Sequence, residues 1–463
     1  MSVNLPSMET AFLFSSKPPL SLFRLFAVVA VNVGVEVSWA SLYSFALPIL
    51  ESIGVSESFA GTAYVSAALF AIFLLPLLGR ISDNCTISFG KRRPFLLFFS
   101  LTVSLSSLFL PVIPDLVHLS HTFRVVLAFL FIAIMDVSFK FIESIAHAIV
   151  IDVCPKQQQV SGNFAFSLSV GFGSILGYLV AGLSLSNLLQ SNLKFLIKFF
   201  PFLGFYSEMK LQFGFSLIVY FIFLLITIIF TKEVAEIKSH KSAPSLFKSI
   251  SKTLGNLNPF FKNLLIIQIF SWISIFAVFQ FTTHFFGIVV FNGNPHGSDF
   301  DVDLYNEGVR FGSFSLSLGS FHCIIFSLIS SKLLNQSKNI SIRKLKFIYS
   351  LGHLLAFSGL ILSPFLKFSP KICLISMSFL GFQSAVAFSL PFSLIEKMAK
   401  PSELGTYASI CCMCMAIGQV ICSTLISLLI TLIGSSSIAI LTAALSSFIA
   451  SLLINRLPMR LND

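Results

Sequence analysis

Four residues, Asp136, Lys140, Glu143 and His147, stand in an otherwise apolar stretch at successive spacings of four, three and four. That spacing puts all four on one face of a helix. An ionisable side chain inside a membrane helix costs about 2.5 kcal/mol or more, so each needs a partner or a purpose. Lys140 can neutralise Asp136 or Glu143 by a contact within the helix; alternatively the stripe lines a polar path and holds a solute or a proton. A proton carrier must be a carboxylate or imidazole that titrates near ambient pH and meets each side in turn. Asp136 or Glu143 fits that role, with His147 and His284 as modulators. Glu36, in another apolar run, either joins them or pairs with Lys140 across a bundle.

The elements that must position these residues are set by composition. Hydrophobic residues make up 56% of the 463, charged residues 11%, and the mean hydropathy is +0.91. A soluble domain carries about a quarter charged residues, so the chain reads as a polytopic membrane protein. Twelve runs of about 20 apolar residues, each long enough to span as a helix, fall near 23 to 48, 60 to 79, 94 to 112, 124 to 151, 161 to 184 and 211 to 230, then 262 to 291, 307 to 332, 343 to 363, 371 to 394, 404 to 430 and 434 to 455. The net charge of +11 does not point to nucleic acid, because most Lys and Arg lie in the termini and the even-to-odd loops. The positive-inside rule then places both termini in the cytoplasm. The first run is too long for a signal-peptide core and carries Glu36, so it is expected to stay as the first span.

Other chemistries find little support. Cys411, Cys412 and Cys414 offer only a superficial CxxC in an apolar helix, so the eight cysteines read as packing residues and no metal or cofactor is expected. The sequons at Asn84, Asn335 and Asn339 fall on the predicted cytoplasmic side and are expected to stay unmodified. Asp299, Asp301 and Asp303 read as a solvated acidic loop rather than a calcium site. The 55 phenylalanines read as filling for lipid-facing positions. Nothing resembles a nucleophile or nucleotide motif on a soluble domain, which argues against an enzyme.

The stretch from 231 to 261 carries Lys232, Lys238, Lys241, Lys248 and Lys252 with Pro244, and it divides the spans six and six. We therefore read 1–230 as an N-terminal half, 231–261 as a cytoplasmic loop and 262–463 as a C-terminal half. Ser38-Trp39-Ala40-Ser41 recurs as Ser271-Trp272-Ile273-Ser274, and SVGFGSILGYLVAG of the fifth run has a weaker echo in MCMAIGQVICSTL of the eleventh. Two six-helix halves related by an axis along the membrane normal describe the major facilitator fold, an all-α membrane architecture with its site between the halves.

Between the second and third runs lies GRISDNCTISFGKRRPF. Gly79 and Gly90 suit a tight turn and Pro94 the first turn of a helix. Asp83 follows a helix C-terminus, a poor place for an anion, so it is expected to bond the N-terminal amides of another helix and pair with an arginine, forming a gate latch. Lys91, Arg92 and Arg93 either join that latch or only fix topology.

At these residues the chain resembles the plant sucrose transporters and their animal sugar/proton symporter relatives, a glycoside-pentoside-hexuronide:cation branch of the major facilitators. The resemblance rests on Ser82, Asp83, Cys85, Phe89, Gly90, Lys91, Arg92, Arg93, Pro94 and Phe95, on Tyr305, Gly308, Val309, Arg310 and Gly312, and on Ser389-Leu390-Pro391-Phe392. It implies proton-coupled sugar symport by alternating access, of a sucrose-like disaccharide or a hexose, with an acid at Asp136 and, in animal members, at Glu143. Three positions depart: Asn84 stands where the family usually has a basic residue, His147 where it has arginine, and His284 where it has aspartate. An uncoupled facilitator, a carrier of another small solute and a non-transporting sensor are the alternatives. A sugar site needs hydrogen-bonding groups and aromatic faces, for which Glu36, Trp39, Gln280 and Gln383 are available beside the stripe. Arg310 either contacts substrate or closes the outer end by pairing with Glu307. A sugar and a proton are the expected partners of a monomer in the lipid bilayer, that of the plasma membrane rather than of an organelle.

Overall fold

The computed structural model describes residues 19–55, 62–87, 89–155, 158–183, 208–231, 255, 257–294, 297–335, 341–398 and 404–458. The sequon at Asn339 and residues 232–254 and 256 of the expected central loop lie outside these residues. The regular structure among them is helical throughout. Eleven helices are long and apolar enough to cross a membrane, and twelve when the bent first pair counts as one span.

The spans are numbered in chain order. α1 comprises Leu22–Val29 and Val31–Ser52, bent by 46° at Ala30. It is followed by α2 (Thr62–Asp83), α3 (Arg93–Phe109), α4 (His121–Val153), α5 (Gln159–Leu183) and α6 (Glu208–Phe230). The second six are α7 (Pro259–His284), α8 (Asp299–Asn335), α9 (Ile342–Leu362), α10, α11 and α12 (Ser437–Arg456). α10 is broken into Pro370–Met377, Leu380–Ala387 and Leu390–Met398. α11 runs as Leu404–Ile421, a π-turn over Cys422–Ile426, and Ser427–Ile433.

Local chemistry sets many of the ends. Ser120 caps α4, Ser341 caps α9, and Asn258 caps α7 with Pro259 behind it, each side-chain oxygen accepting from an early amide. Lys346 of α9 donates to the carbonyls of Asn455 and Leu457 at the end of α12, where a cation suits the helix dipole. α8 starts earlier than expected. Asp299, Asp301 and Asp303 lie in its first turns rather than in a loop, and Ser298 and Asp301 exchange capping bonds, Ser298 N donating to Asp301 Oδ2 at 3.1 Å and Asp301 N to Ser298 Oγ at 3.4 Å.

The two six-helix sets meet chiefly through α5 against α8 and α2 against α11. Small residues permit this. A Cβ on Gly171 of α5 would meet Ile324 of α8 at 2.7 Å, and one on Gly79 of α2 would meet Ser409 of α11 at 2.3 Å. Gly79 is therefore a packing residue inside a helix, not part of the turn; the turn's special backbone falls to Gly90, with φ 128°. Phenylalanine does not only face lipid. Phe70, Phe73 and Phe98 are exposed on the outer surface, whereas Phe139, Phe141, Phe164 and Phe166 are fully buried.

Candidate functional site

α4 carries the polar stripe into the centre of the bundle, where Asp136, Lys140, Glu143 and His147 are all buried. Lys140 forms an ion pair with Asp136 one turn away. Its Nζ also donates to Gln419 Oε1 of α11 at 2.8 Å, and Gln419 Nε2 donates to Asp136 Oδ1 at 3.3 Å. The pair thus sits in a three-membered ring that crosses between the helix sets. A buried ion pair is better tolerated when further hydrogen bonds reach its members, and Gln419 supplies one to each.

Glu143 faces α1. It accepts from Trp39 Nε1 at 3.3 Å, and Lys140 Nζ stands 5.1 Å from the Trp39 ring centroid, within cation–π range. Trp39 stacks on Tyr43 at 5.1 Å and 9°, and Tyr43 in turn on Tyr64 of α2 at 5.3 Å. The buried Tyr43 hydroxyl has no hydrogen-bond partner among the described residues. Glu36 does not join Lys140. It accepts from Ser174 Oγ of α5 at 2.8 Å, a contact made possible by Gly173, whose Cβ would meet Val33 O at 2.5 Å.

The histidines serve elsewhere. His147 is sandwiched between Phe166 and Phe392, with ring centroids 3.8 and 3.3 Å away, and its Nδ1 lies 3.2 Å from Asn163 Oδ1. Asn163 also donates to Ser393 Oγ of α10 at 3.2 Å, so this cluster too bridges the two sets. His284 ends the α-helical part of α7, just before a π-turn over Phe285–Val290.

Gln383 is occupied within the C-terminal set. It donates to Ser271 O at 3.0 Å and accepts from Ser274 and Ser447 hydroxyls at 3.2 and 2.8 Å. Gln280 exchanges bonds with Ser423 in the α11 π-turn, its Nε2 donating at 3.0 Å. Arg310 and Glu307 are exposed on α8 and line an open hollow of about 610 Å³, away from the stripe. Beside Ser174, a second cavity of about 20 Å³ lies between α5, α8 and α10. That is room for about one water, whereas ligand pockets run from about 300 Å³.

A second polar cluster closes one end. Asp83, fully buried, accepts from Gly405 N at 3.1 Å and from Thr406 N and Oγ1 at 2.7 and 2.8 Å, so it caps the N-terminus of α11. Arg92 Nη2 donates to Asp83 at 2.7 Å, its Nη1 to Ser82 Oγ at 2.7 Å, and its Nε to Asp152 of α4 at 3.0 Å. Burial disfavours the Arg92 cation, but Asp152 and Asp83 outweigh that and raise its pKa above the ordinary arginine value. The three basic residues separate in role. Lys91 stays 3.9 Å from Asp83, while Arg93 donates to the Ile228 carbonyl near the end of α6 at 3.1 Å.

A family model described as Major Facilitator Superfamily matches residues 28–421. The chain belongs to this superfamily. It is a multi-pass membrane protein, and its superfamily is not one of enzymes. Among superfamily relatives, it is 24% identical over 426 residues to the sucrose transport protein SUT1 of Oryza sativa subsp. japonica, covering 82% of this chain and 77% of that one. Sucrose transport protein SUC3 of Arabidopsis thaliana is 23% identical (83% and 78%), and the membrane-associated transporter protein of Mus musculus 24% (84% and 81%). Solved superfamily structures share the fold: the E. coli fucose:proton symporter FucP at TM-score 0.62 and 16% identity (95% and 100% covered), and the proton:xylose symporter XylE at 0.62 and 12% (94% and 96%). The human organic anion transporter MFSD10 matches at 0.61 and 15% (95% and 100%). The superfamily fold therefore does not choose the cargo; the side chains at the site do.

Sequence reasoning missed Gln419, Tyr43, Tyr64 and Ser174. Gln419 had a signal, being a lone amide in an apolar run. The tyrosines carried none beyond their spacing from Trp39.

Proposed function

We propose that the protein is a secondary active transporter that moves a sugar, a sucrose-like disaccharide or a hexose, together with a proton by alternating access. The observation that carries this reading is the buried Asp136–Lys140–Glu143 group beside the Trp39–Tyr43–Tyr64 aromatic stack, with the Tyr43 hydroxyl unpartnered. Stacked aromatic faces cover the apolar plane of a sugar, while charged and hydroxyl groups bond its edges. The names of the sucrose transport relatives and the two sugar symporter folds agree with that chemistry.

In this conformation the Asp136–Lys140–Gln419 ring ties α4 to α11 at the centre, and Asp83 locks α11 against α2 at one end. We assign that end to the cytoplasm from the distribution of Lys and Arg, which also puts both termini there. Residues 1–230 and 262–463 then rock about the site, joined by 231–261, and the latch opens when they do. Glu143, held by one indole N–H, is the freer of the two carboxylates to take up a proton; Asp136 is already committed to Lys140 and Gln419.

Uptake of labelled sugars into proteoliposomes, across a panel and with or without an imposed pH gradient, tests both parts. Sugar uptake that rises with an inward proton gradient and is lost in Glu143→Gln supports symport. Uptake indifferent to the gradient and to both Asp136→Asn and Glu143→Gln defeats coupling and makes the protein a facilitator. The neutralised Asp136–Lys140 pair is the observation favouring that second reading.

A further inference from the structure

Three contacts tie α2 and α4 to one stripe of α11. Asp83 bonds Gly405 and Thr406, Ser144 Oγ lies 2.7 Å from Ser409 Oγ, and the Asp136–Lys140 pair holds Gln419. Gln419 differs from the other two. Its neutral amide, fully buried, offers the cation an acceptor and the anion a donor at the same time. A sugar hydroxyl presents the same pair of functions, one donor and an acceptor on a neutral group.

The position of Gln419 is set by the residue before it. A Cβ on Gly418 would meet Trp272 Cβ of α7 at 2.6 Å, so this glycine lets α11 press on α7 while the next side chain points at α4. The first helix set contains the same device: Gly173 presses α5 on α1, and the adjacent Ser174 holds Glu36. In α5 the device stays within its own set; in α11 it reaches across.

We propose that Gln419 is an internal stand-in for substrate, a positioning residue that occupies the hydrogen-bonding sites of Asp136 and Lys140 while the carrier is empty and closed. This rests on reading the α4 stripe as the substrate site. When α11 moves away from α4, Lys140 and Asp136 each lose a buried bond that nothing apolar replaces. A polyhydroxyl solute restores both, so the loaded carrier opens more readily than the empty one. The coupling between cargo and movement is then a competition for two buried groups.

Full-length protein in proteoliposomes tests this with Gln419→Met, which keeps the shape and removes the amide, and Gln419→Asn, which keeps the amide on a shorter stem. Native Cys412, buried on α11 beside Ser144 and Glu143, reports separation of α4 from α11 without any sugar, through its alkylation rate by N-ethylmaleimide read by peptide mass spectrometry. We expect alkylation about fivefold faster in Gln419→Met and a KM for sugar counterflow about threefold lower, since a competitor has been removed. Gln419→Asn should fall between it and the parent, and carries the test if the methionine variant does not fold. Unchanged Cys412 alkylation in a folded variant overturns the proposal. A raised KM also overturns it, by making Gln419 a ligand of the sugar rather than its rival. Faster alkylation in a protein that carries no sugar of the panel sinks the sugar reading and leaves the interlock supported.

Discussion

The two helix sets bury comparable numbers of polar groups and use them differently. In α1–α6 they include the ionisable Glu36, Asp136, Lys140, Glu143 and His147, and the set reaches α10 and α11 where Asp136 and Lys140 meet Gln419, Asn163 meets Ser393 and Ser144 meets Ser409. In α7–α12 the network around Gln383 holds no Asp, Glu, Lys or Arg and closes on itself. Gln268 Nε2 donates to Tyr349 Oη at 2.7 Å, Ser271 Oγ lies 2.8 Å from His353 Nε2, and Gln383 and Ser447 complete the circuit to α12. Satisfied neutral networks rigidify a core, whereas a buried ion pair bridged by one amide has a second arrangement within reach. We infer that the first set carries the chemistry and the second is the frame against which it moves.

The largest effect should come from splitting the buried pair. Asp136→Asn or Lys140→Met alone strands an uncompensated charge and should cost about 3–5 kcal/mol of stability. Sugar uptake should fall at least tenfold in each. The double variant Asp136→Asn/Lys140→Met should regain most of the melting temperature without regaining uptake. Recovery of uptake in the double variant would break the comparison, since the pair would then be scaffold like the other network.

The latch comes next. Asp83→Asn keeps an oxygen for Thr406 but loses the charge that Arg92 holds, and charge-assisted bonds contribute about 1.5–3 kcal/mol each. The raised pKa of Arg92 keeps it cationic throughout the working pH range, so alkaline conditions should not open the latch by way of the arginine. Cysteine accessibility at Ser409, which faces Gly79 across the α2–α11 contact, should rise in Asp83→Asn while sugar KM changes by no more than about threefold. Gly79→Ala should disturb the same contact by overpacking, at a cost of about 1–3 kcal/mol, because Ser409 and the Gly405 carbonyl leave no space for a methyl group.

Local spacing and long-range pairing were unequally legible. The α4 stripe could be read because i, i+4 geometry is intrinsic to a helix, and Asp83 could be read as a misplaced anion because a helix end has a fixed polarity. Its partners could not, since Thr406 lies 323 residues away and contacts between helix sets leave no period in the chain. Gln419 stands in the MCMAIGQVICSTL segment that echoes the fifth run, and an amide in an apolar span raises the same question as a charge. Gln383 shows the converse: a glutamine suited to a sugar by type is spent on α7 and α12 instead. Residue type narrows the candidates, and only packing says which are free.

A frame residue should show a stability effect without a transport effect. Gln383→Leu removes the acceptor shared by Ser274 and Ser447 and the donor to the Ser271 carbonyl, and leaving such groups unsatisfied costs about 1–3 kcal/mol. Melting temperature should fall by several degrees, measured in detergent by fluorescence-detected size exclusion. Sugar KM and its response to a pH gradient should stay within about twofold of the parent. A KM shift beyond tenfold would place sugar chemistry in α7–α12 and erase the contrast between the sets.

The smallest effect is expected at Arg310, where family resemblance and geometry pull apart. Its motif resembles that of sugar carriers, yet the side chain lies exposed with Glu307 on α8, beside an open hollow and not against the α4 stripe. Exposed substitutions away from caps and cores usually stay within about 0.5 kcal/mol, so Arg310→Ala should leave melting temperature nearly unchanged. Its guanidinium lines the open hollow on α8, where an arriving solute would meet it. The expected signature is therefore a salt-sensitive change in KM of about twofold with kcat preserved, because an exposed charge is screened beyond about 10 Å at 0.1 M salt. A loss of kcat instead would mean that α8 turns Arg310 inward during the cycle, giving the C-terminal set a charge of its own at the moment of transport.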